Sequence, residues 1–168
     1  FASRCCQHNH AQGWPYFAEN LMYATPDNGV AAVIYSACEA RAKVADGRNI
    51  TIVEETNYPF DEDITFTVNI EQPKKKKKNV ATTVEFPFYL RIPSWTRSAQ
   101  VEVNGEKVEA QLKPGKYLRL QRAWVDGDKV TVHFPMRLSM RTWQANKKSV
   151  SVDYGPLTLS LKIQETYK

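Results

Sequence analysis

The chain has 168 residues, 42% of them apolar and 24% charged, with a net charge of +5. That suits one globular domain, or one plus fragments of another, with a core that needs no disulfides. No apolar run approaches the ~18 residues of a membrane-crossing helix, three cysteines with two adjacent form no disulfide framework, and Lys74 to Lys78 equal the whole positive excess, which reads as a solvated loop and argues against a nucleic-acid partner.

Residue 1 is Phe, so the chain reads as processed or excised from something longer. Its densest chemistry comes first, in Cys5-Cys6-Gln7-His8-Asn9-His10. Residues 1–13 show no clear period. Trp14-Pro15 then reads as a helix start, because proline tolerates the first helical position. Phe17, Leu21 and Ala24 share one face of that short helix. Thr25-Pro26-Asp27-Asn28-Gly29 ends it with turn chemistry.

From residue 30 the period becomes two. Val30 to Ala37 is a continuous apolar run, as in a buried strand, with Cys38 beside it as a core thiol. Ile50 and Ile52 alternate with polar neighbours, as do Ile64, Phe66, Val68 and Ile70. Val84, Phe86, Phe88, Leu90 and Ile92 share a face, and Pro87 within that run predicts an edge strand or a bulge. Val101 and Val103 lead into Asn104-Gly105, a hairpin signal because both turn positions need positive φ. Pro114-Gly115 suits a type II turn. Leu118 with Leu120, Val130 with Val132 and Phe134, Leu138 with Met140, Val150 with Val152, and Leu157 to Leu161 complete the set. Roughly ten or more short strands with turns every 8–12 residues predict an antiparallel sandwich, not βαβ units.

The chemistry can be weighed on that map. Cys5 and Cys6 would need a metal or a cation to hold thiolate character, and a tetrahedral site would need two further ligands, for which His8 and His10 are candidates on spacing alone. Cys-Cys-x-His-x-His is not a standard structural-zinc spacing, so the residues by themselves favour two inert buried thiols. His133 falls on the outer face of its strand and reads as a surface residue. Trp95, Trp124 and Trp143 read as caps on the sandwich core or as a sugar-stacking platform. Glu54-Glu55 and Asp61-Glu62-Asp63 flank turns, with no spacing that makes them an acid/base pair.

A set of ordered motifs resembles family 127 of the glycoside hydrolases, the β-L-arabinofuranosidase type. They are Cys5-Cys6-x-x-Asn9, Tyr23-Ala24-Thr25, Glu55-Thr56-Asn57-Tyr58-Pro59-Phe60 and Leu90-Arg91-Ile92-Pro93-Ser94-Trp95, then Val103-Asn104-Gly105, Gly115-Lys116-Tyr117-Leu118, Trp124-x-Asp126-Gly127-Asp128 and Tyr154-Gly155-Pro156-Leu157. The resemblance implies a parent with an (α/α)6 barrel followed by β-sandwiches. It implies that Cys5 is the nucleophile of a retaining mechanism and that Cys5 and Cys6 ligate Zn2+, with a glutamate, a third cysteine and a general acid supplied from upstream. Where many relatives carry prolines after the paired cysteines, this chain has Gln7-His8.

The expectation is therefore an all-β chain. Residues 1–29 form a loop plus one helix, a short N-terminal remnant of the (α/α)6 barrel. Residues 30–168 form an antiparallel β-sandwich, including the start of a second one after about residue 145. The parent acts on arabinose-containing glycans and packs its barrel on the sandwich, while the isolated chain is inactive with its zinc site incomplete. Family association points to a periplasmic or secreted protein of a glycan-degrading bacterium, but the residues leave the compartment open. The competing class is a non-catalytic carbohydrate-binding or interaction module, with the lysine loop, Trp95 and Trp143 as its surface.

Overall fold

The computed structural model describes residues 4–71 and 83–163, so the lysine loop lies outside the described residues. Helix α1 (Arg4–Glu19) leads to β1 (Met22–Ala24) and β2 (Val30–Ala32). A meander of β3 (Cys38–Val44), β4 (Arg48–Thr56) and β5 (Asp63–Ile70) follows. Then come β6 (Thr83–Arg91), β7 (Gln100–Val103), β8 (Glu106–Lys107), β9 (Tyr117–Val125) and β10 (Asp128–His133). β11 (Leu138–Trp143), β12 (Ser149–Tyr154) and β13 (Leu157–Leu159) close the described chain.

The strands form three sheets. One has the order β1-β2-β6-β9, the second β3-β4-β5-β10-β7-β8, and the third β11-β12-β13. All pairings are antiparallel except β2 with β6. The first two sheets face each other as a sandwich. Alternation along the strands turns Ile50, Ile52, Ile64, Phe66 and Val68 of one sheet toward Val84, Phe86, Phe88 and Leu90 of the other, all of them buried. Phe66 and Phe88 meet edge to face across the gap, 5.3 Å between ring centres.

Turn chemistry holds where it was expected. Asn104 and Gly105 have φ of 54° and 81°, and Gly115 has 75°.

Four expectations change. The helix begins at Arg4 and contains Pro15 in its interior, so residues 4–13 are helix and not loop. Leu21 is buried beyond the helix end, and Ala24 belongs to β1. The apolar run from Val30 is a strand only to Ala32. There the chain turns, with the Val33 and Ile34 amides both donating to the Leu21 carbonyl, and Tyr35 enters the core.

Strand β3 follows, and Cys38 sits half-buried at the start of this edge strand instead of in the core. Pro87 lies in an interior strand. It is tolerated because the ladder to β2 starts one residue later, at Val30↔Phe88. Gly29 lies against Pro87, and a Cβ on it would come within 2.1 Å of the Pro87 carbonyl oxygen.

The third sheet stands apart from that core. Leu138 and Met140 of β11 are 68% and 79% exposed, and they pair with Tyr154 and Val152 of β12. Gly155 ties the sheet to the sandwich. Its φ is +55°, and a Cβ there would meet the Met136 Cγ at 2.6 Å.

Candidate functional site

Cys5 and Cys6 lie on the first turn and a half of α1, and both are exposed. Their Sγ atoms are 3.9 Å apart. Two thiolates on one tetrahedral zinc at ~2.3 Å would sit roughly 3.8 Å from each other, so the observed separation suits two donors to a shared ion.

The pair offers two donors, where a tetrahedral ion takes four. Among the described residues no three His, Cys, Asp or Glu side chains are grouped to hold a metal. His10 is exposed and meets the Trp14 ring edge to face at 6.1 Å. The His8 side chain lies outside what the structure describes. Every described side chain of α1 is exposed, including Trp14 at 61% and Tyr16 at 68%. The helix therefore presents aromatic surface as well as thiols, with none of it packed into the sandwich.

The other sequence candidates separate from this pair. Trp124 is buried and donates its indole N–H to the Phe86 carbonyl at 2.9 Å, so it is core and no platform. Trp95 packs against Phe134 at the core edge. Trp143 is exposed on the third sheet, with the Arg141 guanidinium 4.7 Å from its ring centre. The three do not form one surface.

His133 lies on the outer face as expected. It is clamped by Asp63 at 2.6 Å and Glu62 at 3.5 Å beside an open cavity of about 470 Å³. Three of the four acids lining that cavity, Asp61, Glu62 and Asp63, have structural partners. Glu62 also accepts the Met136 amide at 2.6 Å, and Asp61 accepts the Asn57 amide at 2.9 Å.

Two arrangements escaped the sequence reading. Glu54 is 2% exposed. It accepts the Ser36 amide at 3.0 Å and the Cys38 thiol at 3.7 Å, tying the loop after β2 to β4. Burial pushes its carboxyl up to about 8, against hydrogen bonds from Ser36 and Cys38 that pull the other way. Burial likewise pushes the Cys38 thiol up to about 11, with the Glu54 charge acting in the same direction, so Cys38 is a poor nucleophile. The signal was present in the alternation Ile50, Ile52, Glu54, which puts the acid on the inward face.

The second is Asp27, which accepts hydroxyl hydrogen bonds from Thr25 and Tyr89, each at 2.6 Å. Arg119 lies 3.4 Å away. The Thr25 bond, then the Tyr89 bond, hold this carboxyl down at about 2.

Residues 29–136 match the family model described as Beta-L-arabinofuranosidase, GH127 middle domain. The chain belongs to the GH127 β-L-arabinofuranosidase family, as its middle domain.

Solved structures agree with the assignment to this middle domain. A GH127 β-L-arabinofuranosidase from Geobacillus stearothermophilus T6, Ara127N-Se, superimposes with a TM-score of 0.78 at 31% identity, covering 94% of this chain and 24% of that one. A protein described as a glycoside hydrolase gives 0.78 at 25% identity, covering 94% and 25%. The GH127 β-arabinofuranosidase BT3674 gives 0.74 at 28% identity, covering 94% and 26%. The GH127 middle-domain chain thus spans about a quarter of the length of each of these structures. No curated protein sequence matches it. No helix among the described residues is long and apolar enough to cross a membrane.

Proposed function

We propose that this GH127 middle domain works as part of a longer retaining glycoside hydrolase that acts on arabinose-containing glycans, with Cys5 as its nucleophile. The observation that carries the reading is the junction of two features. A sandwich of this family begins at residue 29, directly after a helix that exposes paired thiols and a row of unburied aromatic rings. A helix with that surface calls for a partner domain, and an upstream helical barrel supplies one.

In the proposed reaction the Cys5 thiolate attacks the anomeric carbon, forming a C–S bond as the bond to the leaving oxygen breaks. A carboxylic acid from the upstream domain protonates that oxygen. The same group, now a carboxylate, takes a proton from water, which displaces the sulfur and restores the original anomeric configuration. Cys6 and Cys5 would hold zinc, together with donors from upstream. The ion keeps thiols ionised at neutral pH. The sandwich has a structural role, supporting the barrel on α1, and the 168-residue chain by itself is inactive because it lacks the acid and the remaining donors.

Hydrolysis of an aryl β-L-arabinofuranoside by the intact enzyme tests this. Cys5→Ser and Cys5→Ala should each lower kcat by several orders of magnitude while the protein keeps its melting temperature. Unchanged hydrolysis in either variant would sink the nucleophile assignment. The alternative is a non-catalytic carbohydrate-binding or interaction module with the lysine loop, Trp95 and Trp143 as its surface, and glycan retention by this chain that is lost on Trp95→Ala or Trp143→Ala would favour it.

A further inference from the structure

The loop after β6 and the linker between β10 and β11 enclose a cleft of about 230 Å³ where the sandwich meets the third sheet. Its lining combines Trp95, Arg97, Ser98, Arg137 and Leu138, and among the described residues no acidic one contributes to it. Neither guanidinium has an ion-pair or side-chain hydrogen-bond partner among the described residues. That sets them apart from Arg41, Arg119, Arg122 and Arg141, each of which lies beside a carboxylate. Both arginines line this one cleft, and neither side chain is engaged elsewhere among the described residues. A guanidinium offers paired N–H groups in the geometry of a carboxylate, and such charge-assisted bonds are among the stronger ones available to a protein.

The rest of the lining is not suited to a bare anion. Trp95 is half-buried and held in place from two sides. Its ring meets Phe134 edge to face at 6.1 Å, and its side chain is hydrogen-bonded to Tyr58. A fixed indole beside Leu138 presents apolar surface for the C–H face of a sugar ring, while the Ser98 hydroxyl can bond sugar hydroxyls. The close approach of Gly155 to Met136 brings the turn between β12 and β13 against the linker and closes the cleft from that side.

We infer that this cleft is a binding site for an acidic sugar unit, a uronate, whose carboxylate pairs with Arg97 and Arg137 while its ring lies against Trp95. The site is remote in sequence from the thiol pair and would hold an acidic glycan without hydrolysing it. Its occupancy is independent of the role of Cys5.

Calorimetric titration of this chain with digalacturonate tests the inference, with digalacturonate dimethyl ester and inorganic phosphate as the comparison probes. Binding should be measurable for digalacturonate and should shift the Trp95 indole N–H resonance. It should weaken by roughly tenfold or more for the ester, which keeps the rings and loses the charge, and for the double variant Arg97→Gln, Arg137→Gln. Both arginines are exposed, so that variant should melt at the wild-type temperature. Three results would each overturn the inference. They are no heat with digalacturonate, equal binding of the ester or by the double variant, and phosphate binding as tightly as digalacturonate, which would leave a simple anion site.

Discussion

Glu54 gives this fold an unusual dependence on pH, and the sign follows from its burial. An acid that ionises near 4.5 when exposed is pushed to about 8 in the fold. Between those values the folded chain keeps a proton that the unfolded chain has released. Stability contributed by the protonated group is therefore complete below 4.5 and is lost as pH rises through about 8. At ~1.36 kcal/mol for each pH unit, the loss over that window is on the order of 5 kcal/mol.

Among the described residues no cation pairs with it, and its hydrogen-bond partners are the Ser36 amide and the Cys38 thiol. Glu54→Gln keeps the shape and an acceptor for Ser36 and removes the titration. Urea unfolding of wild type and variant from pH 4.5 to 8.5 reads the difference directly. The variant should match wild type at the acid end and exceed it by roughly 4–5 kcal/mol near pH 8. A wild-type curve that does not diverge from the variant across that range would refute the reasoning, as would a variant less stable at pH 8.

Other substitutions probe the packing. Gly29→Ala must force β2 away from Pro87, because the new Cβ would lie 2.1 Å from a backbone oxygen, and chemical unfolding should register a loss of about 1–3 kcal/mol. Thr96 is 1% exposed and its hydroxyl has no hydrogen-bond partner among the described residues, so Thr96→Val should raise stability by about 1 kcal/mol in the same assay. Phe66→Ala removes the ring that meets Phe88 between the sheets and should cost about 3–5 kcal/mol.

The sandwich was legible because its strands alternate cleanly. Ile64, Phe66, Val68 and Ile70 face inward as their spacing demands, and Asn104-Gly105 turns as its residue types require. What escaped the pattern did so for physical reasons. Residues 4–13 have no apolar stripe because α1 buries none of its described side chains in this chain, so periodicity had nothing to detect. Strand β3 turns Ala40 and Ala42 inward between charged neighbours, a weak strand signal on an edge. The three tryptophans look alike in sequence, yet one is core, one packs at the core edge and one is exposed. Their separation depends on long-range pairing that no local spacing encodes. The same holds for the cleft, which Arg97 and Arg137 both line although they lie 40 positions apart. The thiol pair was legible as chemistry from the start, because two adjacent cysteines stand out by residue type alone.

The central proposal, that Cys5 is the nucleophile of a retaining glycosidase, is tested most directly by peptide mass spectrometry of the intact enzyme quenched in acid during turnover of an aryl β-L-arabinofuranoside. The account predicts one pentosyl group on the peptide that carries Cys5, absent in Cys5→Ser. A pentosyl group on any other residue, or an active enzyme whose Cys5 peptide stays unmodified under conditions that give a burst of released phenol, would contradict it.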